Sequence, residues 1–350
     1  MSQDSDQGTT TVGEAGEHRI IAFIKAQLPP PPSWVVVGIG DDAAVLEPSR
    51  NHLDILTTDA LVEGVHFDRR FVDPASIGFR ALAVNLSDLA SMGAAPRVAL
   101  LSLGLPSTMR LADLEALIGG LTELALRYKV TLVGGNVTRS PGPLFVDITV
   151  TGTAKRRKVL TRGGARPGDE LFVTGALGAA AAGLAWLQMN GMPANGGDIP
   201  AVLQPAVLRY LRPEPRLRFG IMAGRTRAAS ACMDLSDGLA DAVRQMAEAS
   251  GTGALVELAA LPVDPAATHV FGHVADGPSM AALSAGDDYE LLCAVPRRSG
   301  RRFAAAGRAT GLPVTRIGAL TPSPALLLRR GDEDLPLPTG FEHFGVAAER

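Results

Sequence analysis

Carboxylates, and in Gly134-Gly135-Asn136 an amide, collect beside Gly, Ser or Thr in short segments of both halves of the chain: Gly38-Ile39-Gly40-Asp41-Asp42, Thr57-Thr58-Asp59, Asn85-Leu86-Ser87-Asp88, Gly134-Gly135-Asn136, Asp234-Leu235-Ser236-Asp237-Gly238 and Gly286-Asp287-Asp288. Clustered acids without matching Lys or Arg repel one another unless divalent cations sit between them. Hard oxygen donors of this kind suit Mg²⁺, which seldom takes an all-protein cage and usually shares its coordination with phosphate oxygens. The pattern therefore implies Mg²⁺-nucleotide chemistry.

Other motifs narrow that reading. Val35 to Ala43 imitates a strand followed by G-x-G-x-x-A, but two Asp would face a pyrophosphate and Pro48 cuts off the helix that should follow. No G-x-x-x-x-G-K-[ST] loop occurs, so any ATP site is of another kind. Asp234 to Gly238 precedes an apolar-periodic helix, and N-capping would account for one acid there, not for two acids and a Ser. Alternation sends Asp234 and Ser236 to one side of the strand end. His66 has no second His at ligand spacing and by itself reads as a loop or packing histidine. Arg162 fits a solvated linker charge or a phosphate clamp. Phe341 and Phe344 fit a hydrophobic anchor for the tail or a stacking surface for an aromatic ring.

Size and composition set bounds. The chain has 350 residues, 46% of them apolar and 20% charged, enough for two domains. A net charge of −3 with no basic stripe argues against nucleic acid. Cys232 and Cys293 form no CxxC or Cys/His grouping, so neither a disulfide framework nor zinc is indicated, and a reducing cytoplasm is the expected compartment. Residues 1–13 are read as a disordered arm. Leu171 to Gly197 carries no charge, yet its Thr174-Gly175 turn and Ala/Gly run read as a buried strand and small-residue helix, not a membrane span.

The elements that must carry these motifs alternate along the chain. Helices are expected at Glu17 to Leu28, Pro74 to Met92, Asp113 to Lys129, Gly178 to Leu187 and Leu239 to Ser250. Strands are expected at Val35 to Val37, Leu53 to Thr57, Ala99 to Leu103, Val130 to Val133 ending at Gly134-Gly135, Phe145 to Thr151, Leu171 to Thr174, Leu255 to Leu258, Tyr289 to Val295 and Val314 to Ile317. Helical spacing puts Asn85 and Asp88 on one neighbouring face. The class is α/β or α+β, with an N-terminal domain over 14–153 and a C-terminal α/β domain over 154–350.

In this order, Gly38–Asp42, Thr57–Asp59 with Gly64–Phe67, Ala83–Ala90 with Met92-Gly93-Ala94, Leu160-Thr161-Arg162, Asp234–Gly238 and Gly286–Glu290 resemble the thiamine-monophosphate kinase family. That family lies in the aminoimidazole ribonucleotide synthetase-like superfamily. The resemblance runs from about Gly16 to Phe344. It implies a two-domain fold of that superfamily, a homodimer pairing through its N-terminal sheets, and ATP-dependent phosphorylation of thiamine monophosphate to thiamine diphosphate.

It further implies that Asp42, Thr57, Thr58, Asp59, Asp88, Asn136, Asp234 and Asp237 hold several Mg²⁺ ions. Gly135, Asn136, Arg162 and Ser236 would face ATP, and His66, Asp287 and Phe341 the thiamine phosphate. Two positions depart from the family's pattern. Asn136 stands where an Asp is common, which implies weaker or fewer metals, and Asp287 stands where a Glu is common, so a shorter acid must reach the substrate. Other branches of the superfamily fit less well: the selenium branch expects an N-terminal Cys and the hydrogenase-maturation branch a C-terminal one. A noncatalytic Mg²⁺-ATP-binding relative has only Asn136 in its favour.

Overall fold

The structure is a computed structural model and describes residues 10–192 and 199–339. It divides into two compact units. One holds the chain up to Leu89 together with Ala95–Arg156, the other Ala90–Ala94 and the chain from Arg157 onward.

The first unit contains α1 (Val12–Ala15), α2 (Glu17–Gln27), β1 (Val35–Val37), β2 (Val45–Leu46), β3 (Leu53–Val62), α3 (Pro74–Ser91, its last two residues belonging to the second unit), β4 (Ala95–Pro106), α4 (Leu111–Tyr128), β5 (Thr131–Ser140) and β6 (Phe145–Ala154). Strands β3, β6, β4 and β5 form one sheet in that order, antiparallel except for the β4–β5 pair. Period-two alternation sets its faces: Val146, Ile148 and Val150 are fully buried, while Asp147 and Thr149 between them are only partly covered.

Helices α3 and α4 bury Ile77, Leu82, Leu86, Leu89, Leu114, Leu117 and Leu121. Their approach needs glycine at two places. A Cβ on Gly78 would lie 1.9 Å from the Leu117 carbonyl oxygen, and one on Gly120 1.9 Å from that of Ala75.

The second unit contains β7 (Glu170–Thr174), α5 (Ala179–Asn190), α6 (Gln204–Leu211), α7 (Leu217–Thr226), β8 (Ala231–Asp234), α8 (Leu239–Ser250), β9 (Gly253–Glu257), α9 (Pro265–Phe271), α10 (Gly277–Ser284), β10 (Leu291–Val295), α11 (Gly300–Thr310), β11 (Val314–Thr321), β12 (Leu326–Arg330) and β13 (Glu333–Pro336). Its sheet runs β13-β12-β9-β11-β7-β10-β8, mostly antiparallel, with β12 parallel to β9. Leu171, Val173, Met246, Val256, Leu292 and Ile317 belong to its core.

Several expectations change. The strand expected to stop at Gly134-Gly135 continues as β5 to Ser140, because β4 pairs with it through Asn136 and beyond. A Cβ on Gly135 would lie 1.9 Å from the Leu101 carbonyl oxygen, so glycine there lets the strand pass. From Thr10 the expected N-terminal arm meets structure: Thr11 caps α1 in a reciprocal capping box with Glu14, and Val12 is buried. Residues 1–9 lie outside the described residues. Asn85 is fully buried and turns back on its own helix, donating Nδ2 to the Ala81 carbonyl at 3.1 Å. Among the described residues no helix is long and apolar enough to cross a membrane.

Candidate active site

In the first unit, β1 and β2 form a hairpin whose turn carries Asp41 and Asp42, both exposed, with the Asp42 amide donating to Asp41 Oδ1 at 2.8 Å. An antiparallel hairpin in place of a helix removes the dinucleotide-fingerprint reading. The hairpin is fixed to β4: the Arg97 guanidinium lies 4.3 Å from the Trp34 ring centroid and donates to the Glu47 carbonyl, and Val35 packs with Val98 and Val133.

Register across the main sheet sorts the other candidates by face. Asp59 pairs with Ile148, Leu101 and Gly135 in one row, and Ile148 and Leu101 are buried, so Thr57 and Asp59 share the helix-covered face. There the Thr57 hydroxyl donates to Asp88 Oδ2 on α3. Thr58 and Asn136 point the other way. Thr58 Oγ1 donates to Asp147 Oδ1 at 3.0 Å and meets Thr149 Oγ1 at 3.0 Å, and Asp147 shares a row with Ser102 and Asn136. The structure thus brings Thr57, Asp59 and Asp88 to one face, and Thr58 and Asn136 to the other with Asp147. Period-two alternation could have flagged Asp147, a polar residue between Val146 and Ile148.

His66 sits in the turn after β3, where its Nδ1 accepts the Val62 amide at 3.1 Å. An accepting Nδ1 makes this the neutral tautomer with the proton on Nε2.

In the second unit two of the acidic loops are interlocked. The Leu235 amide donates to the Glu290 carbonyl at 2.8 Å, Tyr289 to Leu235 at 3.0 Å and Asp287 to Ser236 at 2.8 Å. These bonds extend the β8–β10 ladder past Asp234, which pairs with Leu291 and is buried. The fit requires glycine: a Cβ on Gly286 would lie 2.2 Å from the Ser236 carbonyl oxygen.

Helix α8 starts at Gly238, in the left-handed region at φ 96°, with no side-chain cap. Capping therefore accounts for neither Ser236 nor Asp237, whose side chains bond to each other at 3.3 Å. Asp287 (φ 70°) and Tyr289 (φ 49°) are also left-handed without being glycine, and Tyr289 Oη donates to Asp287 Oδ1 at 3.3 Å. Strained non-glycine backbone of this kind clusters at functional loops. Arg162 donates to Gln245 Oε1 on α8, and its loop is tied to β8 by the Cys232 amide on the Thr161 carbonyl at 2.9 Å. Phe341 lies outside the described residues.

Beside Asp287 stand two acids of the same motif, Asp288 and Glu290, to which sequence reasoning assigned no role and no partners. Glu290, fully buried, receives Arg209 Nη1 at 2.6 Å, Arg216 Nε at 2.8 Å and Thr174 Oγ1 at 2.6 Å. Asp288, also buried, accepts the amides of Gly178 at 2.6 Å and Ala180 at 3.2 Å at the N-terminus of α5. Burial pushes its pKa up to about 7 against the opposing pull of those amides and Arg209.

Among the described residues no three His, Cys, Asp or Glu side chains stand close enough to hold a metal by themselves. Thr57, Asp59, Asp88 and Asp234 nonetheless offer oxygens from strand and helix positions. They fit Mg²⁺, which takes one or two carboxylates and completes its shell with waters and phosphate oxygens.

The chain matches two family descriptions: AIR synthase related protein, N-terminal domain, over residues 40–154, and AIR synthase related protein, C-terminal domain, over residues 166–329. It is similar to the thiamine-monophosphate kinase of Escherichia coli strain K12, 40% identical over 315 residues, 89% of this chain and 93% of the relative. Among solved structures it is similar to thiamine-monophosphate kinase from Stenotrophomonas maltophilia K279a, with a TM-score of 0.77, 35% identity and coverage of 89% of this chain and 94% of that one. It is also similar to AaThiL complexed with AMPPCP and TMP, with a TM-score of 0.73, 30% identity and coverage of 95% and 98%. With its paired acidic loops and near full-length likeness, this chain belongs to the thiamine-monophosphate kinase family, among the AIR synthase-related proteins.

Proposed function

We propose that this chain transfers the γ-phosphoryl group of ATP directly to thiamine monophosphate, yielding thiamine diphosphate and ADP. The observation that carries the reading is the likeness to a relative solved with AMPPCP and TMP, which extends over 95% of this chain.

A phosphate monoester has its second pKa at about 6 and is largely dianionic at neutral pH, so the acceptor needs no strong base. The obstacle is the approach of two polyanions. Mg²⁺, when bound, supplies positive charge to the donor and acceptor oxygens. Several Mg²⁺ ions would be held, with Thr57, Asp59 and Asp88 on one face of the first unit's sheet, Thr58 and Asn136 on the other, Asp42 in the hairpin turn, and Asp234 and Asp237 in the second unit, all as metal holders and not as proton carriers.

Gly135, Asn136, Arg162 and Ser236 would bind ATP. His66 and Asp287 would bind the acceptor, His66 through its Nε2 proton, and Phe341 would stack on a substrate ring. A protein working on such metabolites in a reducing cytoplasm has no use for a disulfide, which agrees with its two free cysteines. A homodimer pairing through the open sheet face is supported by Leu56 and Leu100, which stand 67% and 43% exposed there.

The test is ADP release by the purified full chain with Mg²⁺-ATP and either thiamine monophosphate or free thiamine. Release dependent on the monophosphate alone supports the reading; equal release with neither or both acceptors sinks it. Direct transfer is checked with ATP chiral at the γ-phosphorus: inversion is expected, and retention would mean a phosphoenzyme.

A further inference from the structure

Asp287 holds a left-handed backbone conformation that few non-glycine residues adopt, Asp more readily than most. Its neighbours show what imposes it. The chain from Asp287 to Glu290 alternates two left-handed residues, Asp287 and Tyr289, with two buried carboxylates, Asp288 and Glu290. Each carboxylate is fastened to a different element. Asp288 caps α5 from 110 positions away, through the Gly178 and Ala180 amides. Glu290 is clamped by Arg209 on α6, by Arg216 just ahead of α7 and by Thr174 at the end of β7.

Arg209 links the two anchors, reaching the Asp288 carbonyl at 3.5 Å as well as Glu290 Oε1. Thr174 Oγ1 also accepts the Leu291 amide at 2.9 Å. The backbone opposite leaves no slack, since a Cβ on Gly175 would fall 2.1 Å from Glu290 Oε1.

We propose that Asp288 and Glu290, with Arg209 and Arg216, are positioning residues that hold Asp287 in its left-handed conformation and thereby set acceptor affinity. The positioning follows from the geometry; its effect on acceptor affinity rests on the proposed role of Asp287 toward the thiamine phosphate. Neither carboxylate is offered as touching substrate. The shape of the array also accounts for the shorter acid at 287, because Asp tolerates the left-handed region better than most side chains.

The experiment uses the full chain carrying Asp288→Asn, which keeps one acceptor for the α5 amides but turns an N–H donor toward the other. Amide hydrogen exchange and steady-state kinetics are read on the same preparation. The expected result is loss of protection confined to the Asp287 and Tyr289 amides and their neighbours. It should come with a roughly tenfold rise in KM for thiamine monophosphate, while KM for ATP and kcat change less than about twofold. Unchanged exchange in this segment, or a loss of protection spread evenly over the second unit, overturns the positioning.

Segment-specific exchange with an unmoved acceptor KM overturns the link to acceptor affinity. A wild-type chain that makes no thiamine diphosphate refutes the functional reading and with it that link, while the exchange data still decide the positioning. Should Asp288→Asn fail to fold, Arg209→Lys takes its place: it keeps a charge beside Glu290 but replaces the rigid guanidinium whose Nη1 reaches both the Asp288 carbonyl and Glu290 Oε1 with a flexible ammonium.

Discussion

Thr57 and Asp88 are joined by a hydrogen bond from the threonine hydroxyl to the carboxylate, tying the helix-covered face of β3 to α3 across 31 positions. The bond presets a hard oxygen pair beside Asp59 on elements that cannot drift apart. It also means that Asp88 has a structural task that must be separated from any chemical one.

Asp88→Asn makes that separation. The amide oxygen still accepts from Thr57, so the melting temperature should stay within a few degrees of wild type, while the lost negative charge should lower turnover at least ~100-fold. Asp88→Ala should abolish turnover as well, with a stability loss of about 1–3 kcal/mol from the stranded hydroxyl. Denaturant unfolding alongside initial rates checks both; near-wild-type turnover in Asp88→Asn would remove Asp88 from the metal site.

Asn136 offers the converse change. It lies on the open face in the row of Ser102 and Asp147, and Asn136→Asp puts a carboxylate where this chain has an amide. The Mg²⁺ concentration giving half-maximal rate should fall several-fold, with little change at saturating metal. A rise or no change in that concentration would show that residue 136 does not serve the metal.

Asp288 carries a pH signature. Its ordinary carboxylate value of 3.8 rises to about 7 in the folded chain through burial, with Glu290 adding to the rise and Arg209 and the two α5 amides opposing it. The native state then holds a proton that the unfolded chain has already lost. This contribution to stability is complete below pH ~4, declines as pH rises to about 7 and is spent above it. Wild type should lose stability relative to Asp288→Asn across that window and run parallel to it at higher pH, as thermal unfolding in a series of buffers will report. Parallel curves throughout would mean that Asp288 is not a buried carboxylic acid.

Cys232 and Cys293 face each other across β8 and β10 with sulfurs 3.5 Å apart, both buried, and the mutual contact together with burial raises the Cys232 pKa well above that of a free thiol. Burial shields both sulfurs, so neither residue should take up a maleimide in the native chain over an hour, and both should react once the chain is denatured. Rapid native labelling, followed by mass spectrometry, would show that the β8 edge opens freely.

Much of this was legible because it is local. Val146, Ile148 and Val150 announced a one-sided strand, and the helix Leu239–Ser250 was delimited by its own periodicity and its flanking glycines. The split of Thr57 and Asp59 from Thr58 was also within reach, since alternation alone separates them. The anchors of the Asp287 loop were not. Glu290 meets Arg209 and Arg216 from 81 and 74 positions away, and no spacing rule connects them. Likewise, the step of β5 past Gly134-Gly135 depends on the Leu101 carbonyl in the neighbouring strand, so a stop signal in the sequence became a point of close contact in the fold.

The central claim is tested most directly by incubating the purified full chain with Mg²⁺-ATP and thiamine monophosphate and separating the thiamine phosphates by chromatography, with free thiamine and aminoimidazole precursors as controls. Thiamine diphosphate should form only with Mg²⁺, ATP and the monophosphate together. Absence of thiamine diphosphate from a folded protein that demonstrably binds ATP would contradict the account.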